Sequence, residues 1–398
     1  MTRHGGRPPL EVADILRAHG DAYARDHRVS ARQAAVLRHL VDCRTAALGG
    51  HVDRCSSCDR IRISYNSCRD RHCPKCQSLK KAEWLQARRE HLLPIPYWHL
   101  VFTLPDTLRP LALRNKRLVF DMLFDTAAST LNTLARDPRQ LGADIGFTAI
   151  LHTWGQNLQF HPHLHCVVTG GGLGADGRRW IEARDRFFLP VKVLGRLFRG
   201  KFLHALRDAH RQGNLRGRAA APLKSTAWKR LLDDLYQRDW IVYAKPPFGG
   251  PDHVFRYLGR YTHRVAIANH RLLAIDDGHV TFAVKDYADE RKKKQLTVTS
   301  GEFIRRFLLH VLPRGFTRIR HYGLLASRNV RTRLVRARDI LTPRAETPES
   351  SAQPVAPVPT TWWQRMLHLT GIDVMLCPYC RIGHLVREAG GLPARAPP

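Results

Sequence analysis

Two Cys-x-x-Cys pairs in the first quarter of the chain constrain its folding more than any other feature of the sequence. Cys55 and Cys58 form one pair, Cys73 and Cys76 form the other, and fourteen residues lie between the pairs. Each pair presents two sulfurs, through a tight turn, to one side of a tetrahedral ion. We therefore predict a structural Zn²⁺ held by these four cysteines, because a closed site folds a segment too short to bury a core of its own.

The exact ligand set of this zinc site stays open at the level of sequence. His51, Cys68 and His72 lie in the same segment, where they either replace a cysteine or hold an additional zinc ion. Several arginines surround the cysteines, so the segment is either a DNA-recognition finger or a scaffold with a solvated basic face. A third pair, Cys377 and Cys380, is only half of such a site, and it either borrows ligands from elsewhere or is a remnant.

The chain is strongly basic, with 65 Lys and Arg against 34 Asp and Glu and a formal net charge of +31. The excess is spread along the sequence rather than confined to a tail. Such a field suits a polyanion, and the phosphate backbone of a nucleic acid is the commonest large one. Ribosomal and membrane-surface proteins are equally basic, so the charge indicates a class of partner and not an activity.

Neither a secretory signal nor a membrane span is expected. The N-terminal residues lead into a polar helix, and no stretch approaches about 18 uninterrupted apolar residues. Most of the nine cysteines fall into clusters with metal-like spacing, which is typical of a reducing compartment. We therefore expect a cytoplasmic protein without a membrane partner.

Helix and strand patterns alternate along the middle of the chain. Residues 10–48 predict two helices, with Ser30 as the N-cap of the second. Strands are predicted at residues 97–104, 145–154 and 163–169, the last of them ended by Gly170, Gly171 and Gly172. This alternation predicts an α+β fold, an antiparallel sheet with flanking helices, joined to an N-terminal helical and zinc-binding module.

Composition divides the chain into five parts. They are a helical segment, a zinc-binding domain, the α+β domain, a Pro/Ser/Thr-rich linker and a tail with half a zinc site, at residues 1–50, 51–93, 95–325, 343–361 and 362–398.

The sequence His163-Leu164-His165 predicts a metal site on a strand. Side chains alternate between the two faces of a strand, so Leu164 faces a core while the two imidazoles share one cation. His152, in the preceding strand, is the expected third ligand, and Gln156 and His161 are its rivals. A site with two or three protein ligands keeps open positions, as catalysis on phosphates with Mg²⁺ or Mn²⁺ requires.

Two tyrosines, Tyr257 and Tyr261, are four residues apart and therefore lie on one face of the helix predicted there. Tyrosines at this spacing are more often a packing stripe than nucleophiles. The neighbouring Arg256, Arg260 and Arg264 favour the catalytic interpretation, because a cationic neighbourhood stabilises the phenolate and binds a phosphate. We interpret the pair as candidate catalytic residues and the arginines as candidate DNA-binding residues.

Together these motifs resemble those of the HUH endonucleases, and most of all the two-tyrosine rolling-circle transposases of the insertion-sequence-91 family. The resemblance rests on the cysteine cluster, on His-Pro-His-Leu-His and Tyr-Leu-Gly-Arg-Tyr-Thr-His-Arg, and on Arg-His-Tyr-Gly-Leu-Leu, at residues 55–76, 161–165, 257–264 and 320–325.

The resemblance implies an HUH-type nuclease domain and a transposase that acts on DNA, on single-stranded or hairpin ends of a mobile element. His163 and His165 match the family's metal-binding pair, and Tyr257 and Tyr261 match its tyrosine pair. One phenol would attack the scissile phosphate and leave a 5′-phosphotyrosine and a free 3′-OH, so no ATP is needed. His152 matches the three-histidine pattern of related relaxases, and the cysteine pair at 377 and 380 is not part of the catalytic pattern.

Two alternatives stay open at this point. A plasmid replication initiator or relaxase would use the same chemistry on another DNA. A non-catalytic zinc-finger DNA-binding protein would need neither the tyrosines nor a metal on the histidines.

Overall fold

The computed structural model describes residues 9–184, 188–216, 226–248, 259, 265–285, 292–342 and 361–394. Within these ranges the α-helices α1 to α10 are Val12–Asp26, Ala31–Asp42, Ser78–Arg89, Arg109–Arg114, Lys116–Arg136, Val191–Arg211, Thr226–Gln237, Ser300–Leu309, Arg333–Leu341 and Trp362–Thr370. The strands β1 to β12 are Gly50–Cys55, Ile61–Tyr65, Tyr97–Thr103, Ala143–Trp154, Phe160–Gly174, Trp180–Glu182, Val242–Phe248, Leu272–Asp276, His279–Lys285, Lys293–Thr299, Ile319–Gly323 and Leu385–Arg387.

A six-stranded antiparallel sheet forms the centre of the fold. Its strand order is β11-β4-β5-β3-β7, with β6 paired to β5. The mixed α+β class and the antiparallel sheet predicted from the sequence are confirmed. The strand predicted at 97–104 is β3, and those predicted at 145–154 and 163–169 are the neighbours β4 and β5.

The large apolar core lies on one face of this sheet. Leu164 on β5 is fully buried there with Leu100 and Phe102 on β3, and helices α5 and α6 cover them. Alternation along β3 and β5 sends the intervening side chains to the opposite face. That opposite face carries a smaller core under α3 and α9, which includes Tyr97 and Val167, and beyond it the histidine cluster described below.

Strand β5 continues past the three glycines that were predicted to end it. It runs to Gly174, with β4 on one side and β6 on the other. A Cβ at Gly172 would lie 2.4 Å from the carbonyl oxygen of Asp144, and one at Gly170 would lie 2.7 Å from that of Pro96. The glycines therefore serve close backbone approach inside the sheet rather than a turn.

The N-terminal helices pack away from the central sheet. Ser30 caps α2 as predicted, since its hydroxyl accepts the backbone N–H of Gln33. Val12 and Leu40 are buried with Phe282 of β9 and Phe303 of α8, so α1 and α2 close a second core against the antiparallel sheet β10-β9-β8.

A third, small sheet has the strand order β12-β1-β2. Strand β12 comes from the C-terminal tail and pairs antiparallel with β1, close to the start of the chain. Every helix among the described residues is too short or too polar to cross a lipid bilayer.

Candidate active site

Three histidines meet on the face of the central sheet opposite the large core. His152 on β4 pairs in register with His163 on β5, and His165 follows two residues later on the same face. Their ligand nitrogens all lie within 4.8 Å of one another. The ring centroids of His152 and His165 are 4.4 Å apart. The structure thus brings together the three histidines singled out in the sequence, and Leu164 lies on the other face.

The hydrogen bonds of His163 fix its tautomer. Its Nδ1–H donates to the backbone carbonyl of His161 at 2.7 Å, so Nε2 of the neutral ring carries a lone pair. That Nε2 lies 3.1 Å from Nε2 of His165. Two ring nitrogens at this separation need a proton or a cation between them, because their lone pairs repel.

His99 on β3 orients His165. Its Nε2 lies 2.8 Å from Nδ1 of His165, and the two rings stack with centroids 5.1 Å apart. His99 is buried, as are His165 and His152. A partner on the far nitrogen holds a ligating imidazole at the right angle and sets its tautomer. His99 therefore positions His165 with Nε2 toward the other histidines.

Burial keeps these rings neutral. It lowers the pKa of His163 to about 4 and that of His99 to about 3, and nearby positive charge adds to the effect. The pKa of His165 is well below its usual value for the same reason. A metal binds the neutral imidazole, so the site is ready to coordinate a cation at neutral pH without first losing protons.

A cavity of about 840 Å³ opens over the three histidines. One wall is the central sheet and the loop after β4, and the other is formed by β9 and β10. Lys285, Lys294 and Arg306 line it together with the histidines. The cavity thus places positive charge across from the candidate metal ligands, an arrangement suited to a phosphate group.

The loop after β4 is held by two arginines. Arg306 donates to the carbonyl of Asn157 at 3.0 Å, and Arg271 donates to that of Gln156 at 2.6 Å. Gln156 and His161, the rival third ligands, both line the cavity. His161 lies with its ring 5.2 Å from that of His163 and its Nδ1 3.8 Å from Asp106.

The tyrosine motif lies almost entirely outside the described residues. Tyr257 and Tyr261 are not described, nor are Arg256, Arg260 and Arg264. Gly259, between the tyrosines in sequence, is described, and it lies against α3. A Cβ on it would be 3.1 Å from Leu85 Cδ1 and 3.3 Å from Lys81 Cε.

The predicted four-cysteine site is corrected by the structure. Its two pairs lie in different clusters, each completed by other cysteines. The first cluster comprises Cys43, Cys68, Cys73 and Cys76, and the second comprises Cys55, Cys58, Cys377 and Cys380. The pair in the tail, predicted to be half a site, therefore has its other half at the end of β1 and in the turn that follows. Local spacing joins two sulfurs of a pair, but chain packing decides which pairs meet.

His72, predicted as a possible additional zinc ligand, has both ring nitrogens engaged by protein groups. Its Nδ1–H donates to Asp70 at 2.7 Å, and its Nε2 accepts the N–H of Leu312 at 3.2 Å. It is buried between the first cysteine cluster and the end of α8 and has a structural role. Cys68, the other possible additional ligand, does join a cluster.

Two site residues were missed in the sequence. Cys43 ends α2 and stands alone, 25 residues before Cys68, so no paired spacing marks it. His99 lies in a correctly predicted strand, and the period-two pattern from Trp98 to Leu100 already separates it from the core side. That alternation was the available signal for a polar residue facing the histidines.

Two family models match separate parts of the chain. A family model described as "Putative transposase" matches residues 146–333, and one described as "Transposase zinc-binding domain" matches residues 15–104. A protein of Sinorhizobium fredii named "Putative transposase y4qJ" is 50% identical over 379 residues, which cover 94% of each chain. The chain belongs to the insertion-sequence-91 family of transposases. The transposase for insertion sequence element IS801 of Pseudomonas savastanoi pv. phaseolicola is 28% identical over 312 residues, 74% of this chain and 71% of its own.

Each family match contains a different kind of site in this transposase. The match at 146–333 contains His152, His163 and His165 with the strands that carry them. The zinc-binding match contains the whole first cysteine cluster, and it ends before the tail that completes the second. No solved structure matches the chain.

Proposed function

We propose that this transposase nicks and rejoins single-stranded DNA at the ends of its element. In this proposal Mg²⁺ or Mn²⁺ is held by His152, His163 and His165, and Tyr257 or Tyr261 is the nucleophile. The observation that carries the proposal is the convergence of three imidazoles within 4.8 Å on a cavity lined by lysine and arginine. A bound divalent cation would supply charge stabilisation to a phosphodiester in that cavity.

The residues present fit such a cation. His163 directs an unprotonated Nε2 at His165, whose own orientation is fixed by His99. Three protein ligands leave positions open for phosphate oxygens and water, which Mg²⁺ and Mn²⁺ prefer as further ligands. Lys285 and Lys294 on the opposite wall would hold the neighbouring phosphates of a strand.

The chemical step is a balanced exchange of esters. A tyrosine oxygen forms a bond to phosphorus as the bond from phosphorus to the 3′-oxygen breaks. The phenolic proton is lost and the 3′-oxygen gains one, so the products are a 5′-phosphotyrosine and a free 3′-OH. Because the ester is conserved in the covalent link, a second 3′-OH can reverse the step and join strands without ATP.

Gly259 supports the tyrosine assignment. Helix α3, which it contacts, packs through Trp84 and Leu85 on the small core that includes Tyr97 and Val167. That core and the histidines share one face of the central sheet. Gly259, the one described residue between the two tyrosines in sequence, thus lies on the histidine side of the sheet, where the mechanism needs the nucleophile.

We further propose that the first cysteine cluster holds a structural Zn²⁺. Sγ of Cys43 and Cys73 are 3.6 Å apart, and Sγ of Cys68 and Cys76 are 3.8 Å apart. Four thiolates at about 2.3 Å from one tetrahedral ion lie about 3.8 Å from each other. The cluster anchors the end of α2 to the start of α3, beside the second core.

The decisive experiment is to trap the covalent adduct. The full chain is incubated with single-stranded DNA spanning each terminus of its element and with Mn²⁺ or Mg²⁺, and adducts are separated in denaturing gels. We expect an adduct that is lost in the Tyr257→Phe, Tyr261→Phe double variant and on chelation. Tyr236→Phe is the matched control, because that tyrosine is exposed on α7, and it should retain the adduct.

The outcomes separate the alternatives. Binding without any adduct in the intact protein would indicate a non-catalytic DNA-binding protein and reject the proposal. An adduct that forms equally on plasmid origin or transfer sequences, and not on element ends, would indicate an initiator or relaxase. Peptide mapping of the modified residue then shows which tyrosine attacks.

A further inference from the structure

The second cysteine cluster joins two parts of the chain that are more than 300 residues apart in sequence. Cys55 is the last residue of β1 and Cys58 lies in the turn that follows it, whereas Cys377 and Cys380 lie in the C-terminal tail. Sγ of Cys55 is 3.6 Å from that of Cys380, and Sγ of Cys58 is 3.8 Å from that of Cys377. All four sulfurs lie within 4.8 Å of one another.

These distances fit a mononuclear tetrahedral ion and not disulfides. Four thiolates at about 2.3 Å from one ion are about 3.8 Å apart, whereas bonded sulfurs are about 2.05 Å apart. The four-sulfur donor set selects Zn²⁺ among the common divalent ions. The spacing matches that of the first cluster, where the corresponding distances are 3.6 and 3.8 Å.

Each half of the cluster directs a backbone N–H at one of its sulfurs. In the first half, the N–H of Ser57 points at the sulfur of Cys55 at 3.4 Å. In the second, the N–H of Gly383 points at the sulfur of Cys380, also at 3.4 Å. Backbone N–H groups directed at sulfur stabilise thiolates, which are the form that binds a metal.

The same turn geometry recurs after each pair. Asp59 and Arg381, the residues after the second cysteine, have φ of +59° and +57°. Their N–H groups close the turns on the carbonyls of Cys55 and Cys377. Two turns of equal design thus face each other across the sulfurs.

The segments around the sulfurs are tightly packed. A Cβ on Gly383 would lie 2.6 Å from the sulfur of Cys55, so a larger residue there would have to displace that sulfur. Ser56 donates its N–H to the carbonyl of His384, and the N–H of His384 donates back to the Ser56 hydroxyl. The tail thus pairs with the turn through its backbone as well as through β12.

The apolar contacts here are too few to hold the tail in place. The buried apolar residues of this region are Cys55, Cys377 and Leu385, so the sulfurs themselves form most of its core. Exposed Ile382 and Val386 lie next to them. A segment with so small a core needs a metal or another cross-link to stay ordered.

We propose that Cys55, Cys58, Cys377 and Cys380 bind a second structural Zn²⁺, which fastens the C-terminal segment at 361–394 to the N-terminal zinc-binding module. The module is then composite, because half of one of its two zinc sites comes from the far end of the chain. The inference does not depend on the nuclease chemistry, since it rests on sulfur geometry alone.

Metal stoichiometry of the purified full chain tests the proposal directly. Native mass spectrometry and elemental analysis should give two zinc ions per wild-type chain and one in the Cys377→Ser, Cys380→Ser double variant. Ile382→Ala, a change at an exposed position in the same turn, is the matched control and should retain two. One zinc ion in the wild type, two in the double variant, or iron in place of zinc would each overturn the assignment.

A second measurement covers the case in which the double variant folds poorly. In Gly383→Ala all four sulfurs remain, but the added methyl group presses on Cys55. We expect one zinc ion to be released to a chelator at least tenfold faster than from the wild type, with deuterium uptake rising in residues 377–387 and in β1 together. Unchanged release and unchanged uptake would contradict the proposal.

Discussion

Nε2 of His99 lies 2.8 Å from Nδ1 of His165, in adjacent strands of the central sheet. The contact is diagonal, because His165 is directly opposite Val101 and His99 is two residues before it on the same face. It holds one imidazole of the histidine cluster through its far nitrogen. Such a partner sets both the orientation and the basicity of a ligating ring.

Substitution of His99 should weaken the binding of the metal at the histidine cluster without unfolding the protein. For His99→Ala we expect the Mn²⁺ concentration that half-activates nicking to rise by about 10- to 100-fold, the usual cost of losing an outer partner. His99→Gln should recover part of the loss, since its amide can bond to His165. His321→Gln, which alters a histidine bound to Thr148 in the same sheet, is the control. An equal rise in that control would mean that sheet stability, and not positioning, is measured.

The third metal ligand can be assigned by comparing three substitutions. His152→Ala should lower metal affinity and nicking by about 10-fold or more, because its ring faces His163 and His165. Gln156→Ala and His161→Ala should have smaller effects on metal affinity, although both side chains line the cavity. Calorimetric titration of Mn²⁺ into each variant gives the comparison. A larger loss of Mn²⁺ affinity in Gln156→Ala or His161→Ala than in His152→Ala would identify that residue, instead of His152, as the third ligand.

The lysines of the cavity should contribute to DNA affinity through phosphate charge. We expect Lys285→Ala with Lys294→Ala to weaken binding of single-stranded DNA for all sequences alike. In a plot of the logarithm of the binding constant against the logarithm of the salt concentration, the negative slope should become shallower by about 0.7 for each lost phosphate contact. Fluorescence anisotropy at several salt concentrations measures both quantities. Lys229→Ala, exposed on α7, should change neither; a loss there as large as in the cavity variant would mean that net charge alone is responsible.

His310 should make stability depend on pH in the acidic range. Burial lowers its pKa to about 3 from the ordinary value of 6.5, and its ring nitrogens bond to Thr153 and to the carbonyl of Leu158. Because the folded pKa is depressed, the unfolded chain takes up a proton first as pH falls. The contribution of His310 to the free energy of unfolding is therefore fully present above pH 6.5. As the pH falls from ~6.5 to ~3, this contribution is lost at about 1.4 kcal/mol per pH unit.

The measurement is the difference in unfolding free energy between wild type and His310→Gln at pH 7 and pH 5. The variant should be less stable than the wild type at pH 7, because glutamine packs less well than histidine. This difference in unfolding free energy should be smaller by about 2 kcal/mol at pH 5. A gap that is the same at both values would show that His310 is not neutral in the folded protein.

Local patterns in the sequence determined the elements that carry the histidines. Alternation predicted that Leu164 faces a core and that His163 and His165 share the other side, because a strand repeats every two residues whatever surrounds it. The N-cap at Ser30 was readable for a similar reason, since its bond to Gln33 spans only three residues. The alternation along β3 likewise places His99 on the face that carries His163 and His165.

Tertiary packing alone decided which residues from distant segments meet. The spacing of Cys55 and Cys58 predicts a metal-binding turn but not its partner, and the structure pairs it with Cys377 and Cys380 instead of with Cys73 and Cys76. A tetrahedral ion needs four sulfurs in one place, and two turns supply them wherever strand pairing and burial bring them together. Sequence fixes the geometry within each turn; the meeting of turns depends on the free energy of the whole fold.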